Sequence, residues 1–276
     1  MSAFPALQEV PSQPVVELPP PRRRVPDAVW SALSIGSIFL VWWAVTTSGL
    51  VGPDYLPTPQ ALFGEFVGLV ENGYRRIPLW QHIFASLFRT LTGFVLGVIV
   101  GVPTGLMTGY SRVGSAMVSP LMAFIRPIPP IAFIPMAVLY FGLGEVGKIA
   151  LIFFTAFNYA HVNSHAGAVN VPIAYYRAAE SIGLTRVQTF FRVVLPAAIP
   201  TIFTGLKVAM ALSWAVVVAA ELVGAQRGLG FMISDAAQLF RIPVVFIGIA
   251  LIGVIGLLLN LLLSLIEARL VHWKGR

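Results

Sequence analysis

The chain has 276 residues, 57% of them hydrophobic and only 11% charged, with a mean hydropathy of +0.85. Soluble domains carry about a quarter charged residues, so this composition belongs to an integral membrane protein. The formal net charge of +7 does not point to nucleic acid, because the basic residues sit at the ends of apolar runs and not in a stripe with stacking aromatics; the absence of cysteine excludes disulfides, thiolate metal sites and cysteine nucleophiles.

Residues 1–28 hold Pro5, Pro11, Pro14, Pro19, Pro20, Pro21 and Pro26 without apolar periodicity. That pattern predicts a disordered, Pro-rich cytoplasmic tail. Arg22, Arg23 and Arg24 directly precede the apolar run Val29 to Val51, which lacks a small-residue cleavage site and therefore reads as a retained transmembrane helix with its amino terminus in the cytoplasm. After Gly52 and Pro53, Thr58 is a helix N-cap with Pro59 at the first helical position. Leu62, Phe66, Leu69 and Val70 share a face of the helix that follows, which either lies in the outer interface or packs on the bundle.

The second span, about His82 to Tyr110, carries Gly93, Gly97, Gly101, Gly105 and Gly109 at four-residue spacing. In water each glycine costs a helix about 1 kcal/mol relative to alanine. In lipid the same spacing makes a groove for close helix packing, within or between subunits. The third span, Ala116 to Leu143, contains Pro120, Pro127, Pro129, Pro130 and Pro135, which predicts a break around Arg126, Pro127, Pro129 and Pro130. Broken backbone at membrane depth is tolerated where it is buried in protein or lines a polar cavity, and a charge there is a functional candidate. Arg126 is therefore a candidate for a translocation path; its bland alternative is snorkelling from a helix end.

The turn Gly142 to Lys148 satisfies GxxxxGK, but Ile149 follows where a phosphate-binding loop requires serine or threonine, so it reads as an interhelical turn. The fourth span, Val146 to Ala166, holds His161 and His165 on one face. No glutamate follows His161, so a polar helix region is the default and an intramembrane metalloenzyme built on the two histidines a remote alternative. The fifth span, Ala197 to Ala225, carries Lys207, expected to snorkel, and Glu221 near its outer end as a further path candidate. The sixth, Ile242 to Leu265, is Leu/Ile/Val-rich. About six transmembrane helices and an all-α fold result. Arg22 to Arg24, Arg112, Arg177, Arg186, Arg192, Arg269, Lys274 and Arg276 then fall on cytoplasmic segments, against Arg75, Arg76, Lys148, Arg227 and Arg241 outside, which again favours an inside amino terminus.

Residues 171–196 form the long cytoplasmic loop of this topology. Ala178, Ala179, Ile182 and Gly183 give its first helix a small-residue face, and Val187, Phe190, Phe191, Val193 and Val194 make a second amphipathic piece ending at Leu195 and Pro196. Two short helices at an angle fit either a docking element or an amphipathic surface on lipid.

Ala178-Ala179, Gly183 and Val193-Val194-Leu195-Pro196, at their spacing, resemble the EAA signature of permease subunits of binding-protein-dependent ABC importers. Arg177 stands where the motif has its glutamate, and Val193 where it has isoleucine. RPIPPIAFIPMAVLYFGLGEVGKIALI from Arg126 and AAELVGAQRGLGFMI from Ala219 are similar to the nitrate, sulfonate, taurine and bicarbonate subgroup, and LWQH at Leu79 with RGLGFM at Arg227 is most like taurine or aliphatic sulfonate permeases. The resemblance implies a type I ABC importer permease fold over residues 29–276 in a bacterial inner membrane and two permease copies as a homodimer. It also implies two ATPase subunits that hold ATP and Mg, no cofactor in this chain, and a periplasmic substrate-binding protein. It makes Tyr176, Arg177, Ala178, Ala179, Glu180, Ile182, Gly183, Leu184, Leu195 and Pro196 the ATPase-coupling residues.

Overall fold

The structure, a computed structural model, describes residues 26–52 and 55–271; most of the expected tail, with Arg22 to Arg24, and the terminal Lys274 and Arg276 lie outside the described residues. Among the described residues eleven α-helices follow one another: α1 (Asp27–Thr47), α2 (Pro59–Asn72), α3 (Leu79–Tyr110), α4 (Arg112–Ile125), α5 (Ile134–Phe141), α6 (Glu145–Val169), α7 (Ile173–Ser181), α8 (Arg186–Thr189), α9 (Leu195–Leu222), α10 (Leu229–Gln238) and α11 (Ile242–Leu270). A 3-10 turn, Pro130–Phe133, precedes α5, and a π-helical turn, Phe190–Val194, joins α8 to α9. Among the described residues the only β-type pairing is an isolated bridge between Tyr74 and Ile77.

The chain divides into two compact units, Met1–Leu50 and Val51–Arg276. The first contributes α1, which is long and apolar enough to cross a membrane. In the second unit α3, the helical run Arg186–Leu222 and α11 meet the same description, and α4 with the Pro130–Phe141 segment makes one further span bent by 82°. The bend falls at the prolines, which lack the amide hydrogen an unbroken helix needs. Six spans were expected and five are apolar enough. The sixth is α6, whose 25 residues reach about 37 Å. Asn158, His161, Asn163, Ser164 and His165 make it too polar to resemble a lipid-facing span. It does not face lipid: it lies between α3 and α9, and Ile152, Ala156 and Ala160 are completely or almost completely buried.

The α3–α6 contact organises the unit. A Cβ added to Gly93 would lie 2.7 Å from Ile152 Cβ, one on Gly97 2.7 Å from Ala156 Cβ, one on Gly101 3.1 Å from Ala160 Cβ, one on Gly105 2.8 Å from Ser164 Cβ, and one on Gly109 2.9 Å from Ala168 Cβ. The partners ascend α6 as the glycines ascend α3, so the two helices run parallel with backbones in contact. Parallel neighbours require a return crossing between them, and the bent α4–α5 pair supplies it. On the other side of α6, Gly167 meets Ala198 and Gly205 meets Asn163, so α9 runs antiparallel.

Local signals set the periphery. Thr58 caps α2 by accepting from the Ala61 amide at 3.2 Å, with Pro59 next in line. Leu69 of α2 is buried while Phe63 and Val70 are exposed, so one edge packs and the other is left free. Lys207, expected to snorkel, pairs its ammonium with Glu267 in the last turn of α11 at 2.5 Å. One expectation is corrected. The segment Val187 to Val194 is not a separate surface helix, because α8, the π turn and α9 form one continuous run; Pro196 and Pro200 supply no amide hydrogen to its early turns, and the wider π turn accommodates that region.

Candidate functional site

Three regions carry the candidate residues. The first lies where α3 and α6 begin and α9 ends. Arg89, 3% exposed, donates from Nε and Nη2 to the two Glu145 oxygens at 2.5 and 2.6 Å, and from Nη1 to Glu221 Oε1 at 2.6 Å and to the Arg227 carbonyl at 2.8 Å. Glu221, 1% exposed, also accepts from the Ser86 hydroxyl at 2.8 and 2.9 Å and from the Gly230 amide at 2.9 Å. Ser86 in turn accepts from the Leu229 amide at 2.9 Å. Gly228 has φ of 130°, and a Cβ there would collide with the Glu221 carboxylate, so only glycine lets the loop wrap the acid this closely. His82 closes the cluster against Gly228. Glu221, a path candidate in the sequence, has its carboxylate engaged by three neighbours. Arg89, which the sequence shows only as one arginine near a span, is the hub. Lys148 donates to the carbonyls of Leu143 and Gly144 in its own turn, so the GxxxxGK stretch is occupied by its own lysine.

The second region is a groove of about 190 Å³ between α4 and α6, lined by Val118, Ser119, Met122, Ala123 and Arg126 on one side and His161, Val162 and His165 on the other. Arg126, an exposed residue, is the C-cap of α4, so the proline break ends the helix where this residue joins the groove lining. Pro127 and Pro129 are exposed in the bend, and Pro130 begins the 3-10 turn. His161 is 3% exposed; its Nδ1 lies 3.1 Å from Thr104 Oγ1, and its Nε2 is buried without a partner. An unmet buried polar atom costs about 1–3 kcal/mol, so it calls for an explanation. His165 repeats the arrangement one turn on, with Nδ1 3.1 Å from Thr108 Oγ1 and Nε2 3.4 Å from Ser115 Oγ. The i, i+4 spacing marked these histidines in the sequence; their meeting with Arg126 was not visible there. Among the described residues no group of three His, Cys, Asp or Glu could hold a metal.

The third region is the elbow α7–α8 at the opposite end of α3. Gly183, φ 73°, ends α7 in a Schellman turn, with its amide on the Glu180 carbonyl at 2.9 Å and the Leu184 amide on the Ala179 carbonyl at 3.0 Å. Thr185 and Gln188 then form a capping box that starts α8. Tyr110 anchors the elbow: its ring packs 6.5 Å from Tyr176 and 5.3 Å from Phe190, and its hydroxyl donates to the Arg186 carbonyl at 2.9 Å. Burial raises the Tyr176 phenol above its usual pKa, so it stays neutral in this contact. Ile182 is 74% and Phe191 60% exposed, and Arg177, Ala178, Glu180 and Gly183 are exposed with them. Ala179 departs from the expected outward face: it is 3% exposed, about 100° round the helix from exposed Ala178, on the side of α7 that packs. Leu184 is half-buried, and Leu195 and Pro196 lie half-buried at the root of α9.

The family described as binding-protein-dependent transport system inner membrane component matches residues 80–272. The taurine transport system permease protein TauC of Escherichia coli (strain K12) is 38% identical over 88% of this chain and 90% of that protein. The putative aliphatic sulfonates transport permease protein SsuC of Bacillus subtilis (strain 168) is 32% identical over 86% of this chain and 85% of that protein. The fold resembles a chain of the inward-facing MetNI methionine ABC transporter, with a TM-score of 0.59 and 20% identity over 72% of this chain and 98% of that one.

Proposed function

Because this chain belongs to the family of binding-protein-dependent transport system inner membrane components, we propose that it forms the membrane pathway of an ATP-driven importer for a small anionic solute, taurine or another aliphatic sulfonate, moved from periplasm to cytoplasm. The chain is an ABC transporter permease subunit, a transporter component and not an enzyme, which removes the metalloenzyme alternative. In this reading two copies form a homodimer in the inner membrane with their amino termini in the cytoplasm. Two ATPase subunits carry ATP and Mg, and a periplasmic binding protein delivers substrate.

The observation that carries the coupling role is the α7–α8 elbow. It offers exposed Ile182 and Phe191 beside exposed Gly183 while Tyr110, Tyr176 and Phe190 tie it to the end of α3. A push on such an elbow reaches α3 through packed rings and reaches α9 through a continuous helix. A partner shifts a conformational balance only by contacting the two states differently, so exposed apolar residues around a glycine turn suit the task better than a fixed ion pair. The motif residues Tyr176 to Leu184 form the docking element, and Leu195 and Pro196 its root.

The pathway reading rests on Arg126, which makes no ion pair among the described residues and lines the α4–α6 groove beside Pro127, Pro129 and Pro130. An unpaired guanidinium suits an oxyanion. Glu221 serves as a lock for Arg89 and the loop after Arg227, and we leave it out of the path.

The test is ATPase stimulation of the reconstituted complex by its binding protein loaded in turn with taurine, an alkanesulfonate, nitrate or bicarbonate. Stimulation by sulfonates above the others is expected. Equal stimulation by all, or stimulation by nitrate or bicarbonate alone, overturns the substrate. Loss of ATPase copurification is expected for Gly183→Phe; retention of the partner with full coupling overturns the docking role.

A further inference from the structure

We propose that the α4–α6 groove is a site for a small zwitterion, with Arg126 taking its oxyanion end and the Nε2 atoms of His161 and His165 taking its ammonium end. The proposal deepens the reading of Arg126 as a path residue and rests on it.

A threonine hydroxyl has one hydrogen. The Thr104 hydroxyl donates to the Val100 carbonyl at 2.7 Å, so the only role left to it opposite His161 Nδ1 is acceptor. His161 Nδ1 therefore carries the hydrogen, and Nε2 of the neutral ring is a bare acceptor. The same holds one turn on: the Thr108 hydroxyl donates to the Gly105 carbonyl at 3.0 Å, so His165 Nδ1 donates to it and His165 Nε2 is an acceptor. The two rings stack at 6.3 Å between centroids and 18° between planes, and both residues line the groove.

His161 Nε2 meets no donor in the chain, and His165 Nε2 has only the Ser115 hydroxyl at 3.4 Å. Arg126 in the same lining is the converse, a set of donors without an ion-pair partner. A plain anion would satisfy the guanidinium and leave the histidine acceptors unmet. A plain cation would meet the histidines and be repelled by the arginine. A molecule with an oxyanion at one end and an ammonium at the other, a few bonds apart, satisfies both. The groove of about 190 Å³ exceeds the roughly 150 Å³ cavity that admits benzene, so a solute of that size fits. Such a site would favour an amino-sulfonate over an alkanesulfonate inside the permease itself, independently of the binding protein.

The experiment is saturation-transfer NMR on the assembled permease–ATPase complex without binding protein. The probes are taurine against ethanesulfonate, which differ only by the amine, and β-alanine against propionate, which pose the same contrast with a carboxylate. Only variants that elute as intact complex are compared. The expected result is binding of both zwitterions about tenfold tighter than of their amine-free partners, the contribution of one charge-assisted hydrogen bond. That preference should vanish in His161→Phe, persist in His161→Gln, whose side-chain oxygen restores an acceptor, and all four ligands should weaken in Arg126→Gln. Equal binding within both pairs, no binding of any probe, or a preference unchanged in His161→Phe overturns the site. ATPase stimulation by the loaded binding protein, measured in parallel, judges the substrate separately. Failure there with a preserved zwitterion preference removes the sulfonate assignment and leaves the groove standing, and the reverse result removes the groove alone.

Discussion

The Arg89 cluster and the Arg126 groove each place an arginine in an apolar bundle, and they differ in everything that follows. Around Arg89 every described charge is answered: two carboxylates, a hydroxyl, loop amides and a carbonyl converge within 2.9 Å, and the guanidinium is nearly inaccessible. Around Arg126 the donors have no ion-pair partner, a buried histidine nitrogen has no donor, and a cavity lies between them. A satisfied buried network holds helices in one arrangement, whereas an unsatisfied one beside a cavity waits for a ligand. Intramembrane charge alone does not distinguish the two; the count of partners does.

Removing a partner should separate these regions. Glu221→Ala leaves the Ser86 hydroxyl, the Gly230 amide and one Arg89 Nη1 hydrogen without their acceptor in the interior, each unmet buried donor costing about 1–3 kcal/mol, while Arg89 keeps its pair with Glu145. The largest predicted effect is therefore loss of folded complex, read as lost monodisperse protein on size exclusion in detergent; an intact complex with an unchanged melting temperature would mean that the cluster is not a lock. Arg126→Gln, by contrast, should assemble and melt as the parent does, since no ion pair among the described residues is lost, and its defect should appear in ligand binding.

A second pair of substitutions sharpens the contrast between close packing and open surface. Gly97→Val places side-chain atoms where even a Cβ would be 2.7 Å from the α6 backbone, and overpacking costs about 1–3 kcal/mol. Gly253→Ala on α11, with nothing within 4 Å of the added carbon, should leave the melting temperature unchanged or slightly higher. Equal effects of the two would break the account of the α3–α6 contact.

Gly183→Ala is smaller again. Its φ of 73° costs a non-glycine residue about 1 kcal/mol, spent locally on the exposed elbow. Coupling efficiency, measured as transport per ATP hydrolysed, should fall while the melt of the bundle stays put.

An effect confined to alkaline pH lies outside the spans. Tyr74 is pushed up to about 12, first by burial and then by its hydrogen bond to Asp235 at 2.6 Å. The folded protein thus holds the phenolic proton more tightly than the unfolded chain, whose phenol has its ordinary value of about 10. The stabilisation is complete below pH 10 and is lost as pH rises from 10 towards 12. Thermal melts should show that alkaline limb in the parent and a shallower one in Tyr74→Phe.

Much of the fold was legible because the bilayer simplifies the code. Long apolar runs had to be helices, prolines at 127, 129 and 130 had to break one, Thr58 and Pro59 had to start another, and small residues at 93 to 109 had to meet something closely. α6 was the hardest to place by apolarity, since its polar residues are tolerable only when neighbours cover them. The elbow was read as two separate pieces, and the continuity of α8 with α9 through a π turn appears only in the backbone. The orientation of Ala179 was likewise not available from a run of two alanines.

By itself, the sequence determined the class of molecule, the number of long helices and the position of the break, and marked the stretch proposed to dock, because each follows from composition or from spacing along one segment. Only the tertiary structure decided which charges are spent and which are free. Glu221 and Arg126 look alike as lone charges in apolar runs. Their difference lies in surroundings contributed by helices far apart in the chain, Ser86, Arg89 and Gly230 around buried Glu221 and a groove shared with His161 and His165 for exposed Arg126, and a charge takes its meaning from what surrounds it in space.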